Sequence, residues 1–412
     1  MIGIGIMGYG TVGSGVAEVL HKNAASIARK AGDDLQVLRI LDLREFPGDP
    51  FESCLTKEFN DILTDDRIQI VVETMGGLHP AYDFVKACLE AGKSVVTSNK
   101  ELVAAKGDEL LKLAKDNNLN FMFEASVGGG IPILRPINEC LAANEVSEIA
   151  GILNGTTNFM LTQMIEQHMD FDAALSLAQE RGYAERDPSA DIDGHDACRK
   201  ICILASLAFG KHVFPDAVYT EGLRKITLED VATASAVGGV IKLIGHVKKV
   251  ADDKAQVMVA PMVLPKTSLL SDVNGVFNGI LVRGDAIGDV VFYGQGAGKL
   301  PTASAVVGDV IDEAKHIGNR KSLFWDGAVD GYVLPASAAE MAYLVRLSCD
   351  DRQTAWSEVL SAFGDVKAVS RPDAGDGELA FVTDVMSEDV LNQKVSALRG
   401  AKLLSRIRMA AL

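Results

Sequence analysis

Ile2-Gly-Ile-Gly-Ile-Met-Gly8-Tyr-Gly10-Thr11-Val12-Gly13 reads as a short apolar strand running into a G-x-G-x-x-G turn, with a helical stretch at 16–20 directly behind it. Glycines at 8, 10 and 13 permit a tight turn, a close approach of backbone to a pyrophosphate, and near contact of helix with strand. The motif is weak alone, so its surroundings decide its weight. A second strand, 35–41, ends on Asp42, where a dinucleotide-binding fold places an acid that reads the ribose. Apolar strands at 70–74 and 94–97 alternate with helical stretches near 80–91 and 101–117, which predicts a doubly wound parallel sheet around a nicotinamide cofactor.

At 412 residues the chain has room for about three domains. Its formal net charge of −16 disfavours nucleic acid and anionic membrane, both of which call for a basic face. No run approaches the ~20 apolar residues of a membrane span. With the first strand of the fold at the N-terminus, the expected address is cytoplasmic. The six cysteines (54, 88, 140, 198, 202, 349) show neither C-x-x-C nor paired histidine spacing, so a zinc site is not expected.

Chemistry is expected at Glu185-Arg-Asp-Pro-Ser-Ala-Asp-Ile-Asp-Gly-His-Asp-Ala-Cys-Arg-Lys200, where five carboxylates and a lysine lead into an apolar run. Pro188 and Gly194 keep its first half irregular, and 195–209 reads as one helix. Asp196 and Lys200 then stand i,i+4 on the face that carries Ile203, Leu204 and Leu207. A poorly solvated lysine beside a carboxylate suits acid/base work, and a surface helix pair is the plainer alternative. Two glycine-rich segments precede it. Phe123-Glu-Ala-Ser-Val-Gly-Gly-Gly130-Ile-Pro-Ile follows a strand at 119–123 and suits a close backbone approach to a ligand or carbonyls turned toward an ion. Gly151-Ile-Leu-Asn-Gly-Thr-Thr-Asn158 clusters polar groups around one glycine, as a site or as a turn with a helix cap.

Taken together, Ile152-Leu-Asn-Gly-Thr-Thr-Asn158, Glu124-Ala-Ser-Val-Gly-Gly-Gly-Ile-Pro132, Ser98-Asn-Lys100, the Glu185 to Lys200 signature and Gly294-Gln-Gly-Ala-Gly298 resemble homoserine dehydrogenase, in that family's order and over the chain to about residue 317. The resemblance implies NAD(P)-dependent interconversion of L-homoserine and L-aspartate 4-semialdehyde, on the route to threonine and methionine. It implies Lys200 as acid/base, Asp196 as the group that sets its position and protonation, and Lys100 between cofactor and substrate; from sequence alone, Lys100 could merely begin its helix. Glu185 would hold the substrate ammonium, with Asp191 and Thr156 beside the substrate. The cofactor, NAD or NADP, would lie on Gly8, Gly10, Thr11, Val12, Gly13, Asp42, Thr74, Lys100 and Gly298. Asp42 favours NAD, so NAD is expected to serve at least as well as NADP. A sodium ion would sit among the backbone oxygens of Glu124, Val127, Gly129 and Ile131.

The expected organisation is a Rossmann-type domain over 1–132, completed by a helix over 301–318, and an α+β substrate and dimerisation domain over 133–300. Residues 335–412 follow the order βαββαβ around Asp373-Ala-Gly-Asp-Gly377, a ferredoxin-like unit similar to an ACT module. Its 350–356 loop, Asp-Asp-Arg-Gln-Thr-Ala-Trp, lacks the Pro-Gly usual for such modules, so threonine is expected to bind weakly or not at all. Amino-acid sensing and a purely structural, dimer-forming role stand level. A homodimer or homotetramer is expected. Two other classes remain. A non-catalytic nucleotide and amino-acid sensor would have lost Lys100, Glu185, Asp196 or Lys200, and a Rossmann oxidoreductase of different substrate would lack the Asn154 to Asn158 run.

Overall fold

In a computed structural model the described residues are 1–371 and 374–412; Pro372 and Asp373, the latter opening the loop noted above, lie outside them. The N-terminal strands are β1 (Ile2–Met7), β2 (Leu35–Leu41), β3 (Leu55–Thr56), β4 (Ile68–Glu73), β5 (Ser94–Thr97) and β6 (Phe121–Met122). All pair in parallel, in the order β3-β2-β1-β4-β5-β6. This is a doubly wound sheet whose strand order reverses at β1, above which a dinucleotide binds in such folds. Helix Lys299–Lys315 returns from far along the chain to cover it, placing Ala303, Val306, Val307 and Val310 against Ile4, Ile6, Ile70 and Val72.

The expected strand at 119–123 shrinks to two residues. Phe123 turns the chain into a tight 3-10 turn, Glu124–Ser126, because its carbonyl accepts both the backbone N–H (2.9 Å) and the hydroxyl (2.6 Å) of Ser126. After the glycines the chain makes one irregular helical turn, Pro136–Cys140.

A second, mixed sheet begins with β7 (Val146–Ile152), β8 (Tyr219–Thr220), β9 (Gly239–Ala251), β10 (Lys254–Pro265), β11 (Phe277–Gly284) and β12 (Gly288–Gln295). It continues through β13 (Val333–Leu334), β14 (Glu340–Cys349), β15 (Lys367–Val369), β16 (Glu378–Val382), β17 (Met386–Ser387) and β18 (Ala401–Met409). Its main path runs β12-β11-β7-β9-β10-β18-β14-β16-β15. With helices Arg352–Phe363 and Glu388–Ser396, the last part from β14 follows the βαββαβ order that the sequence predicts, with the two-residue β17 added before the second helix. It is continuous with the middle of the chain, because β18 pairs in parallel with β10 at Met262–Arg408 and Val263–Met409.

One face of this sheet, with Ile149, Val247 and Val257, packs on Ile201 and Leu204 of helix His195–Phe209 and so presents that helix to the N-terminal domain. Met258, Ala260 and Met262 on the other face are covered by Leu270, Ala339 and Ala410. Among the described residues no helix is long and apolar enough to cross a membrane.

Candidate active site

Helix His195–Phe209 starts at Gly194, whose φ of +86° lies in the left-handed region that glycine takes without strain. Any side chain at 194 would also press on Thr220, since a Cβ there would come within 3.0 Å of its Cγ2. The helix buries Asp196 and Lys200 one turn apart, and Lys200 Nζ donates to Asp196 Oδ2 at 2.7 Å and to the Leu153 carbonyl at 2.8 Å. An ammonium carries three donors, and the third meets no partner among the described residues. Asp196 Oδ1 lies 3.1 Å from Nζ of Lys100, which comes from the N-terminal domain. Lys100 does begin its helix, Lys100–Asp116, where Asn99 caps by accepting from Leu102 N–H at 3.1 Å. It also faces the site, so the surface-pair reading of Asp196 and Lys200 gives way to a buried pair, and Lys100, its side chain 41% exposed, does more than begin its helix by closing on that pair from the open side.

Asn154 holds this arrangement together. Its side-chain oxygen accepts from the Thr157 N–H at 2.9 Å and so caps helix Gly155–Gln167. Its amide nitrogen donates to Asp191 Oδ1 at 2.7 Å and Asp196 Oδ2 at 2.9 Å. In the sequence the 154–158 cluster stands out as a motif and Asn154 does not stand out within it. The available signal was its position as the first polar residue after a buried strand. Burial alone would raise the Asp196 pKa, but the ammonium groups of Lys200 and Lys100 outweigh it and hold the carboxyl well below the usual carboxylate range. Asp191 moves the other way, raised by burial and then by the charge of Asp196.

Thr156 donates its hydroxyl to the Tyr183 carbonyl at 2.7 Å. Glu185 is not drawn into the cluster. Its side chain is exposed, and among the described residues nothing pairs with its carboxylate.

The glycine turn meets its steric requirements. A Cβ at Gly13 would lie 1.9 Å from the Gly8 carbonyl oxygen and 2.8 Å from Thr74 Oγ1, so only glycine lets helix Thr11–Lys22 sit this close. Thr74 donates its hydroxyl to that carbonyl at 2.8 Å and fixes the turn. Among the described residues no side chain caps the helix at Gly10, which leaves the N–H groups of Thr11, Val12 and Gly13 open to an anion. Asp42 is fully engaged. Oδ1 accepts from Arg44 N and Nε, both at 3.0 Å, while Oδ2 accepts from Arg44 Nη2 at 2.9 Å and Tyr9 N at 2.8 Å. Chiefly because of Arg44, its pKa is lowered far below the ordinary range. Arg44 also lies over the Phe46 ring, 5.2 Å from its centre.

The Glu124 carboxylate accepts the backbone N–H groups of Ile133, Leu134 and Arg135 (2.6–2.9 Å) and pins the glycine-rich segment. Gly129 packs so tightly on the 294–298 loop that a Cβ would lie 2.3 Å from the Gly296 oxygen. Gly298 precedes helix Lys299–Lys315 with φ +135°.

Two family models match the chain, "Homoserine dehydrogenase, NAD binding domain" over residues 8–124 and "Homoserine dehydrogenase" over 132–311. A homoserine dehydrogenase of Pseudomonas aeruginosa is 36% identical, over 99% of both chains. The crystal structure of a homoserine dehydrogenase from Thiobacillus denitrificans superposes with a TM-score of 0.91 at 36% identity, covering 99% of this chain and 98% of that one. A hyperthermophilic archaeal homoserine dehydrogenase in complex with NADPH matches 76% of this chain and 97% of its own, with a TM-score of 0.64 at 29% identity.

Proposed function

The chain belongs to the homoserine dehydrogenase family and is an NAD(P)-dependent oxidoreductase, and from that premise we propose that Lys200 is the proton carrier, Asp196 its anchor and Lys100 the second cation of the site. The observation that carries this reading is the single buried carboxylate of Asp196 bridging two lysines from different domains. When bound, the nicotinamide accepts or returns the hydride. On oxidation Lys200, entering the step as the neutral amine, takes the hydroxyl proton of L-homoserine and becomes the ammonium; on reduction the ammonium returns that proton to the aldehyde oxygen, where negative charge develops. Asp196, kept ionised by its two cations, fixes the direction of the Lys200 ammonium. Asp191 and Thr156 lie beside the substrate, and Asn154 holds both acids in register.

Glu185, exposed and with no partner for its carboxylate among the described residues, is placed to receive the substrate ammonium. Glu185→Gln should therefore chiefly raise KM for homoserine and change kcat little, because the contact is made in ground and transition states alike. Steady-state kinetics check this, and an unchanged KM would remove Glu185 from the substrate site.

The cofactor is proposed to be NAD at least as readily as NADP. Asp42 repels a 2′-phosphate, yet all four of its acceptor positions are held by Arg44 and Tyr9. Arg44 must therefore yield when ribose hydroxyls approach, and its exposed guanidinium is then the group on hand for a phosphate. Arg44→Ala should lower kcat/KM for NADP by about tenfold, the worth of a charge-assisted bond, and leave that for NAD unchanged or higher. A large wild-type preference for NADP would contradict the assignment.

The chain is read as a nucleotide-binding unit over 1–132 with helix Lys299–Lys315, a substrate unit over 133–300, and an ACT-like unit over 335–412. Sodium among the backbone oxygens of Glu124, Val127, Gly129 and Ile131 is supported by the carbonyls of the last three, which no protein donor among the described residues reaches, whereas that of Glu124 accepts the Val127 N–H at 3.4 Å; the ion's part there would be structural. A homodimer or homotetramer is supported by β12, an edge strand with Tyr293 exposed and stacked on Phe277. In the C-terminal unit, Asp351 caps helix Arg352–Phe363 by accepting from Gln353 N–H at 3.1 Å, which favours a structural role over threonine binding.

A further inference from the structure

Lys100 reaches Asp196 from the other side of a domain boundary, so something must set the distance between helix Lys100–Asp116 and helix His195–Phe209. One turn from Lys100, on the same helix face, the Ala104 carbonyl lies 3.1 Å from Nε2 of His212, just past the end of the second helix. A carbonyl only accepts, so Nε2 carries the proton and Nδ1 is left to accept the Trp325 indole N–H at 3.0 Å. His212 and Trp325 are both buried. The indole also lies over Gly107, three residues beyond Ala104, where a Cβ would come within 2.7 Å of the ring. The backbone locks the same corner: His212 N–H donates to the Asp326 carbonyl at 2.8 Å, and Asp326 N–H to Gly210 at 3.0 Å.

We propose that His212 is a positioning residue for the reaction, clamping the helix that carries Lys100, through Ala104 and Trp325, to the helix that carries Asp196 and Lys200. It touches neither substrate nor cofactor and acts through the Lys100 to Asp196 contact. The inference rests on the reading of Lys100 and Asp196 given above.

The test is a double-mutant cycle read in kcat, with KM for NAD followed alongside. His212→Leu should lower kcat by about tenfold, since displacement of a positioned group by a fraction of an ångström is costly, and leave KM for NAD within about twofold because the glycine turn is untouched. His212→Gln, able to donate to Ala104 and accept from Trp325, should recover most of the loss. Trp325→Phe keeps the ring packing and removes only the N–H, so it should lose about threefold, and it decides the matter if His212→Leu does not fold. In a Lys100→Ala background neither substitution should lower kcat further. Losses that multiply unchanged in that background, or full kcat in both single variants, would overturn the clamp. A fully active Lys100→Ala enzyme would overturn the reading of Lys100 and the clamp with it, a result distinct from additivity.

Discussion

Lys200→Ala should lower kcat for L-homoserine oxidation by about 10²–10⁴-fold, the usual worth of a positioned general acid or base, and leave cofactor affinity nearly unchanged. The loss falls on kcat because Lys200 sits among Leu153, Asn154 and Asp196 and away from the glycine turn that holds the nucleotide. Asp196 keeps Lys100 and Asn154 as partners in the variant, so the site does not collapse around an unpaired carboxylate. Steady-state rates and cofactor titration by fluorescence check both halves. Full activity would move the proton carrier to Lys100 or to water.

Arg408→Ala should destabilise the protein by about 3–5 kcal/mol, the range for removing one partner of a buried ion pair. Arg408 is almost wholly enclosed, with a side-chain exposure of 3%. It donates to Glu221 at 2.8 Å and to Glu388 at 2.5 Å, and its guanidinium lies 4.8 Å from the centre of the Tyr219 ring. Its loss leaves Glu388 with Arg406 alone and unties β18 from the segment that follows β8. That segment supports the site, because Leu223 N–H donates to the Ile192 carbonyl at 2.8 Å, one residue from Asp191. Denaturant titration measures the change, and a loss below about 1 kcal/mol would mean that solvent or Arg406 replaces the contact.

Periodicity and punctuation go a long way in this chain. Gly8, Gly10 and Gly13 with Asp42 announce the first sheet, and the i,i+4 spacing of Asp196 and Lys200 announces one face of the site. What sequence cannot supply is contact between distant parts. Nothing near Lys100 shows that it meets Asp196, since that meeting depends on how two domains pack. Asn154 looks like a helix cap, and it is one. Its second function, bridging two acids, appears only when 191 and 196 are folded back onto it. The strand expected at 119–123 ends early for a local reason, the hydroxyl of Ser126 competing for the Phe123 carbonyl. The Asp42 case runs the other way, because its place in the motif is clear while its occupation by Arg44 is a matter of side-chain geometry.

The most direct test of the account is the absorbance of reduced nicotinamide when the full-length protein is mixed with NAD or NADP and L-homoserine. The account predicts a homoserine-dependent rise that Lys200→Ala reduces by at least about a hundredfold. No homoserine-dependent signal with either cofactor, from folded wild-type protein, would contradict it.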